Sequence, residues 1–347
     1  MVRQLYVIAA LLLSTVSMAD QIQGLTLVGK MNKYSSAGYS AIWGYTAPDG
    51  REYALLAVRT GTSIVDITDD NNLREVAFIP GSESTWRELK QYKQFAYVVT
   101  DSVDTGIQII DLSKLPNEAK LVATYADLPQ SHTLFIDDKI GVLYTMGGTG
   151  DKVVALSLAD PLHPSEISRF GTTYVHDGHF KDGKAYLFEI MSKSWSVWDI
   201  SDLKNPKMLK RTRDSNAPSV SFHNGWPTDD GKYVITTEET SGRTVKFWDI
   251  QDLNNIKIVA EWLPPNLLAH NVQIWGHYAY FSSYGGGLRV LDIKDPTKPV
   301  EVAFWARGTG KEQDFVSMWG CFPFFASGKV IGSDMEEGLV VLKFDRK

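Results

Sequence analysis

AHNVQIWGHYAYFSSYGGGLRVLDIKDPTKPVEVAFW, residues 269–305, contains four short runs in which β-branched and aromatic residues alternate with smaller or polar ones. Such alternation is typical of β-strands whose two faces differ in environment. The runs are 270–275, 277–283, 288–293 and 299–305, and glycine, aspartate and proline separate the last three. The stretch therefore predicts four consecutive antiparallel strands.

The third run of this unit, LRVLDI, belongs to a motif that recurs seven times along the chain. Its marker aspartate, or the residue in its place, falls at Asp66, Asp111, Ser157, Asp199, Asp249, Asp292 and Lys343. These positions lie 42 to 51 residues apart, and a period of about 40–50 residues built only from strands is typical of propeller blades. We therefore predict an all-β fold, a seven-bladed β-propeller with four-stranded blades.

The seventh unit has three strand runs and no fourth. GLTLVGKM, residues 24–31, has the pattern of a fourth strand and precedes the first unit. We expect this N-terminal strand to complete the last blade, which closes the ring and removes an exposed sheet edge. Closure should also bury Leu25 and Leu27.

The first 19 residues have the pattern of a secretory signal peptide. Arg3 precedes an apolar run at 5–16, and Ser17, Met18 and Ala19 form a small-x-small cleavage site. An apolar run of this length is shorter than the roughly 20 residues that a membrane-spanning helix needs. We expect cleavage after Ala19, a single propeller domain over residues 20–347 without a transmembrane segment, and export to the periplasm or the extracellular medium.

Composition narrows the class of partner. The formal net charge is −6 at pH 7, and the sequence shows no cluster of lysine and arginine such as nucleic-acid-binding proteins carry. We therefore expect no nucleic-acid partner. A small molecule, a glycan or a protein is the expected ligand, and we expect a monomer.

Several stretches outside the third strands are also distinctive: SAIWGY at 40–45, SHTLFID at 131–137, FHNGW at 222–226, AHNVQIW at 269–275 and WGCFPFFASGKVIGSDMEEGL at 319–339. The third-strand motifs resemble LVIVD repeats, and together with these stretches the whole pattern resembles the choice-of-anchor B family of exported bacterial and archaeal proteins. The resemblance extends over essentially the whole mature chain and implies a propeller outside the cytoplasm, without implying an activity.

Histidine recurs at one position of the repeat. Aligning the units on their first strands gives the lead residues Gly38, Arg87, His132, His176, His223, His270 and Asp314. First strands line the central channel of a propeller, so we expect the four imidazoles to converge from one half of the channel, with Arg87 and Asp314 opposite. Because side chains alternate along a strand, the residues that follow the histidines should point into the sheets; these are Thr133, Asp177, Asn224 and Asn271.

Converging neutral imidazoles suit Cu, Zn, Fe or Ni ions. One such ion is a candidate cofactor, with His132, His176, His223 and His270 as candidate ligands. Metal-bound histidines usually have an outer hydrogen-bond partner, and the candidates near second-strand ends are Glu189, Glu238 and Asp334. The recurrence of histidine is equally consistent with duplication of one ancestral residue, or with a polar, hydrated channel lining.

Three functions fit these residues. The first is an exported binding or scaffold module whose ligand site lies at the histidine-lined channel. The second is a metalloenzyme with a transition-metal centre held by the same histidines. The third is a metal-free hydrolase or lyase that uses a channel histidine as general base. Propellers host many unrelated functions, so the fold does not choose among them.

Overall fold

The computed structural model describes residues 19–148, 150, 152–217, 219–265, 268–307 and 316–346. These residues form 29 strands and one 3₁₀ turn, Ile190–Ser192. The strands are β1 (Gln21–Gln23), β2 (Thr26–Met31), β3 (Tyr39–Thr46), β4 (Glu52–Val58), β5 (Gly61–Asp66), β6 (Arg74–Pro80), β7 (Arg87–Tyr92), β8 (Phe95–Thr100), β9 (Ile107–Asp111), β10 (Lys120–Tyr125), β11 (Thr133–Asp137), β12 (Val142–Met146), β13 (Val153–Ser157), β14 (Ser165–Phe170), β15 (Asp177–Lys181), β16 (Lys184–Glu189), β17 (Ser194–Asp199), β18 (Lys207–Thr212), β19 (Phe222–Pro227), β20 (Tyr233–Glu238), β21 (Val245–Asp249), β22 (Lys257–Trp262), β23 (Ala269–Trp275), β24 (Tyr278–Ser283), β25 (Gly287–Asp292), β26 (Val300–Ala306), β27 (Met318–Phe322), β28 (Lys329–Asp334) and β29 (Gly338–Lys343). Within these ranges, no helix has the length and apolar character needed to cross a membrane.

Seven antiparallel sheets follow one another along the chain. Blades one to six are β3–β6, β7–β10, β11–β14, β15–β18, β19–β22 and β23–β26, and blade seven is β27–β29 with β2. The first strand of each blade contacts the first strands of its neighbours, and β27 contacts β3, so the ring is closed around a channel lined by first strands. The prediction of a seven-bladed propeller with four-stranded blades is confirmed.

The N-terminal strand closes the ring as predicted. β2 pairs antiparallel with β29, with Met31 opposite Leu339 and Thr26 opposite Lys343. Contrary to expectation, Leu27 is 39% exposed. A register shift between Leu27 and Gly29 brings Val28 instead onto the apolar cluster between blades seven and one. The short strand β1 pairs with β26 and adds a fifth strand to blade six, which the repeat pattern does not predict.

The repeated aspartate at the end of the third strand is a turn residue. The Asp66 carboxylate accepts a hydrogen bond from the Thr68 amide at 3.0 Å, and the Asp292 carboxylate accepts one from the Lys294 amide at 2.8 Å. Aspartate favours such turns because its side chain can bond the backbone two residues further on. The same local bond explains why the marker recurs, and apolar clusters between each pair of neighbouring blades hold the ring together.

Candidate functional site

The first strands of blades five and six are bulged at their histidines, whereas His132 and His176 directly precede β11 and β15. In blade five, Phe222 pairs with Glu238 and Asn224 with Thr237, which leaves His223 as the extra residue. In blade six, His270 is the extra residue in the same way. A bulge interrupts the alternation of side chains along a strand.

The residues after the four histidines therefore face the channel. The expectation that they point into the sheets is wrong, because it assumes one uninterrupted strand through each histidine. His223 and His270 are instead bulged residues, and His132 and His176 lie just before their strands. They line the polar middle of the channel together with Glu88 and Lys90, and they are Thr133, Asp177, Asn224 and Asn271.

The four predicted imidazoles lie side by side. The ring centroids are separated by 4.5 Å between His132 and His176, 4.2 Å between His176 and His223, and 4.4 Å between His223 and His270. His176, His223 and His270 are each at most 9% exposed. The structure thus brings the repeated histidines together at one end of the channel.

Three of these rings join adjacent blades through one nitrogen. His176 Nδ1 lies 3.2 Å from the His223 carbonyl, His223 Nδ1 lies 3.1 Å from the His270 carbonyl, and His270 Nδ1 lies 2.6 Å from the Trp319 carbonyl. A carbonyl only accepts, so each Nδ1 carries the hydrogen and donates it. A neutral imidazole in this tautomer keeps a lone pair on Nε2.

In blades seven and one, residues other than histidine occupy the positions equivalent to the four histidines. Trp319 supplies the carbonyl that follows His270, so it stands where the sequence alignment places Asp314. Asp314 lies outside the described residues. In blade one the Ser40 hydroxyl donates to the Arg87 carbonyl at 3.0 Å, so Ser40, two residues after Gly38, makes the bond that the histidines make elsewhere.

Arg87 is buried, but its guanidinium is directed away from the imidazoles. Nε donates to the Val58 carbonyl at 3.1 Å and Nη2 donates to the Ser82 carbonyl at 2.6 Å, both in or beside blade one. Burial lowers the pKa of Arg87 to about 10. The structure therefore places this cation between blades one and two, where it bonds one strand carbonyl and one loop carbonyl.

The three acids predicted as outer partners of a metal form ion pairs away from the imidazoles. Glu189 pairs with Arg211 at 2.8 Å, Glu238 with Lys246 at 2.7 Å, and Asp334 with Arg307 at 3.3 Å. In the described part of the chain, none of these three carboxylates hydrogen-bonds a channel histidine. They neutralise the partly exposed Arg211 of blade four, the buried Lys246 of blade five and the buried Arg307 beside blade seven.

Two other carboxylates reach the histidines, and the sequence interpretation missed both. Glu239 lies 3.7 Å from His223 Nε2 and 3.9 Å from His270 Nε2. Asp101 lies 3.0 Å from His132 Nδ1. Each residue directly follows a second strand. The acids predicted from the sequence are instead the last residues of second strands. The available signal was strand alternation itself, because Glu239 must point opposite to the buried Glu238.

Burial controls the ionisation of this cluster. Burial, followed by the neighbouring imidazoles, lowers the pKa values of His176 and His223 well below their usual range. Burial lowers the pKa of His270 to about 3. Burial opposes the charged form of His132 too, but the hydrogen bond and charge of Asp101 raise its pKa. Three of the four rings are therefore neutral at pH 7.

The depressed pKa of His270 predicts a specific acid sensitivity. An unfolded histidine becomes protonated below about pH 6.5, whereas folded His270 stays neutral down to about pH 3. Between these two pH values the unfolded state binds more protons than the folded state, so lowering the pH favours unfolding. We expect the unfolding free energy of the native protein, relative to that of His270→Gln, to fall by about 1.4 kcal/mol per pH unit below pH 6.5. Urea denaturation in EDTA measures it, with His163→Gln as control. A difference that stays constant from pH 7.5 to 5 would contradict the prediction.

Aromatic side chains fill the opposite end of the channel. Phe324 lies 6.1 Å from Trp43, 5.9 Å from Trp226 and 6.0 Å from Trp275, measured between ring centroids. These tryptophans belong to blades one, five and six, so Phe324 bridges across the ring. All four of these rings are partly exposed at this end.

The sequence of blade six matches a known repeat. The LVIVD repeat family matches residues 268–305, which span most of the stretch from β23 to β26. No curated protein matches the chain. The chain is therefore a seven-bladed β-propeller that contains an LVIVD repeat.

Proposed function

We propose that this protein is an exported binding module, similar to choice-of-anchor B proteins, whose ligand sits at the histidine end of the channel. The sequence pattern of residues 1–19 supports export, although residues 1–18 lie outside the described part of the chain. The LVIVD match in blade six is consistent with such a module. The ligand class follows from the residues at this end.

The observation that carries the proposal is the convergence of Nε2 lone pairs and carboxylates at one end of the channel. His223 and His270 each donate Nδ1–H to a carbonyl of the next blade, which leaves Nε2 of both rings for a ligand beside Glu239. Binding sites typically combine a concave surface with a few convergent polar groups. This end of the channel has both.

Aromatic rings frame the same end. Trp86 stacks on Trp319 with 4.5 Å between centroids, and the His270 ring lies 4.5 Å from Trp319. Trp86 is partly exposed, so one indole face is available at the rim. Large, rigid rings contribute strongly to recognition because they bury much area at little cost in conformational entropy.

The low basicity of His176, His223 and His270 favours binding over general-base catalysis at these three rings. A general base works best when its pKa lies near the working pH. Burial lowers the pKa of His270 to about 3 and places those of His176 and His223 well below their usual range. Such rings are weak bases at neutral pH, but their lone pairs accept hydrogen bonds and coordinate metals.

A ligand screen with matched variants tests the proposal. Residues 20–347 are screened by thermal shift with sugars, short peptides and metal salts, and each hit is titrated by calorimetry. We expect at least one stoichiometric organic ligand whose affinity falls about tenfold or more in Trp86→Ala, since aromatic contact residues commonly contribute more than about 1 kcal/mol. Trp275→Ala, at the opposite end, should leave the affinity unchanged. The proposal fails if no compound binds, or if hits weaken only in Trp275→Ala.

A further inference from the structure

The ligand atoms of His223, His270 and Glu239 are spaced for a shared ion. The Glu239 carboxylate oxygens lie 3.7 Å from His223 Nε2 and 3.9 Å from His270 Nε2, and one atom from each residue lies within 4.8 Å of the others. These separations exceed a hydrogen bond. Ligand atoms that each lie about 2.0–2.2 Å from one metal ion are separated by up to roughly 4.2 Å. A small contraction of the cluster would complete such a site.

The tautomers of both histidines are already set for coordination. His223 donates Nδ1–H to the His270 carbonyl at 3.1 Å, and His270 donates Nδ1–H to the Trp319 carbonyl at 2.6 Å. Metal-binding histidines usually make such an outer hydrogen bond, which fixes the ring and leaves the other nitrogen to the metal. Each of these bonds joins a histidine to the equivalent position of the next blade, so contacts between blades hold the rings in place.

The carboxylate completes the donor set on the open side. The Glu239 side chain is 26% exposed, whereas the side chains of His223 and His270 are 4% and 1% exposed. The Tyr284 hydroxyl lies 3.4 Å from Glu239, and the Tyr284 ring stacks on His270 at 4.5 Å. Two imidazoles and one carboxylate thus meet with one side toward the solvent.

We infer that His223, His270 and Glu239 form a binding site for one divalent transition-metal ion, with an open coordination position facing the histidine end of the channel. Two nitrogen ligands and one oxygen ligand suit ions such as Zn²⁺ and Fe²⁺. This ligand set differs from the four histidines expected from the repeat. Among the described residues, the ligand atoms that lie within 4.8 Å of one another are those of His223, Glu239 and His270. His176 lies beside this group as the next ring of the series, and His132 follows His176.

Metal titration of the full mature chain tests this site. The protein, residues 20–347 without a histidine tag, is stripped with EDTA, desalted and titrated with Zn²⁺ by calorimetry and with Co²⁺ by visible absorption. We expect one equivalent of each ion. Glu239→Gln should weaken Zn²⁺ binding about 100-fold or more, because losing a direct ligand should cost at least as much as losing an outer partner. His270→Gln should do the same.

Two control variants test whether Zn²⁺ binding depends on this site rather than on other acids or histidines. Glu238→Gln changes the adjacent acid, which faces Lys246, and His163→Ala removes an exposed histidine. Both should bind Zn²⁺ like the native protein. The melting temperature of every variant verifies its fold. The inference is overturned if the folded native protein takes up no stoichiometric metal, or if folded Glu239→Gln binds Zn²⁺ with native affinity.

This inference rests on the proposed function, and the two fail differently. An organic ligand that requires Trp86, with no bound metal, would retain the binding module and overturn the metal site. Metal bound through Glu239 without any organic ligand would retain the metal site and overturn the organic-ligand proposal. Failure of both titrations would overturn both.

Discussion

A chain that begins at Ser35 will lose on the order of 5 kcal/mol of unfolding free energy, or will not fold. The deletion removes β2, the outer strand of blade seven, and with it the contacts of Val28 and Met31 with the cluster between blades seven and one. It also removes the ladder hydrogen bonds to β29 and exposes that strand as a new edge. Apolar contacts and ladder bonds together approach the whole stability of an ordinary domain. Urea denaturation measures the loss.

A shorter deletion provides the matched control. A chain that begins at Gly24 loses β1, whose three residues are all exposed, the ion pair between Lys30 and Asp20, and the hydrogen bond that Trp305 Nε1 donates to the Asp20 carboxylate. We expect this change to cost about 2 kcal/mol or less, because a surface ion pair and a single hydrogen bond each contribute about 1 kcal/mol. Equal stability of the two truncated chains would show that β2 does not close the ring.

Lys246→Met will destabilise the protein by about 3–5 kcal/mol. Lys246 is 2% exposed, and its ammonium lies 2.7 Å from Glu238 and 3.6 Å from Asp214, which are 3% and 5% exposed. Removing the cation leaves two buried carboxylates without their partner, which is far more costly than removing the whole group. Urea denaturation at pH 7.5 gives the difference from the native protein.

A second substitution decides whether the unpaired charge is the cause. Lys246→Met combined with Glu238→Gln should recover at least half of the lost stability, because one buried charge is removed with its partner. Burial already raises the pKa of Glu238 in the native protein. The defect of Lys246→Met should therefore shrink as the pH falls and the carboxylates take up protons. No recovery in the double variant, together with a pH-independent defect, would show that the unpaired charge is not the cause.

The periodic features of this fold were predictable because they repeat local chemistry. Third strands such as LRVLDI alternate in a strand-like way, and the terminal aspartate accepts a backbone hydrogen bond in the turn that follows. Their spacing predicts the number of blades, and the one unit without a fourth strand predicts where residues 24–31 pair. The exposure of Leu27 was not predictable, because it depends on a one-residue register shift in the closing pair.

The candidate site was predictable in part for the same reason. A repeat position that lies on first strands must meet its equivalents at the channel, which brings His132, His176, His223 and His270 together. The partners of these rings do not repeat. Glu239 and Asp101 come from two different loops, so no period links them to the histidines.

By itself, the sequence determined the ring: seven units of alternating strands, the strand that closes them, and histidine in four consecutive blades. Only the tertiary structure decided the chemistry within the ring. Bulges at His223 and His270 turn two successive side chains toward the channel, and the hydrogen bonds between blades use Nδ1 of these rings and leave Nε2. The tertiary structure also gives the two adjacent glutamates different partners: Glu238 pairs with Lys246, whereas Glu239 faces the imidazoles. The reason is physical: strand periodicity is encoded within a few residues, whereas the contacts between blades at this site join residues 31 to 49 positions apart.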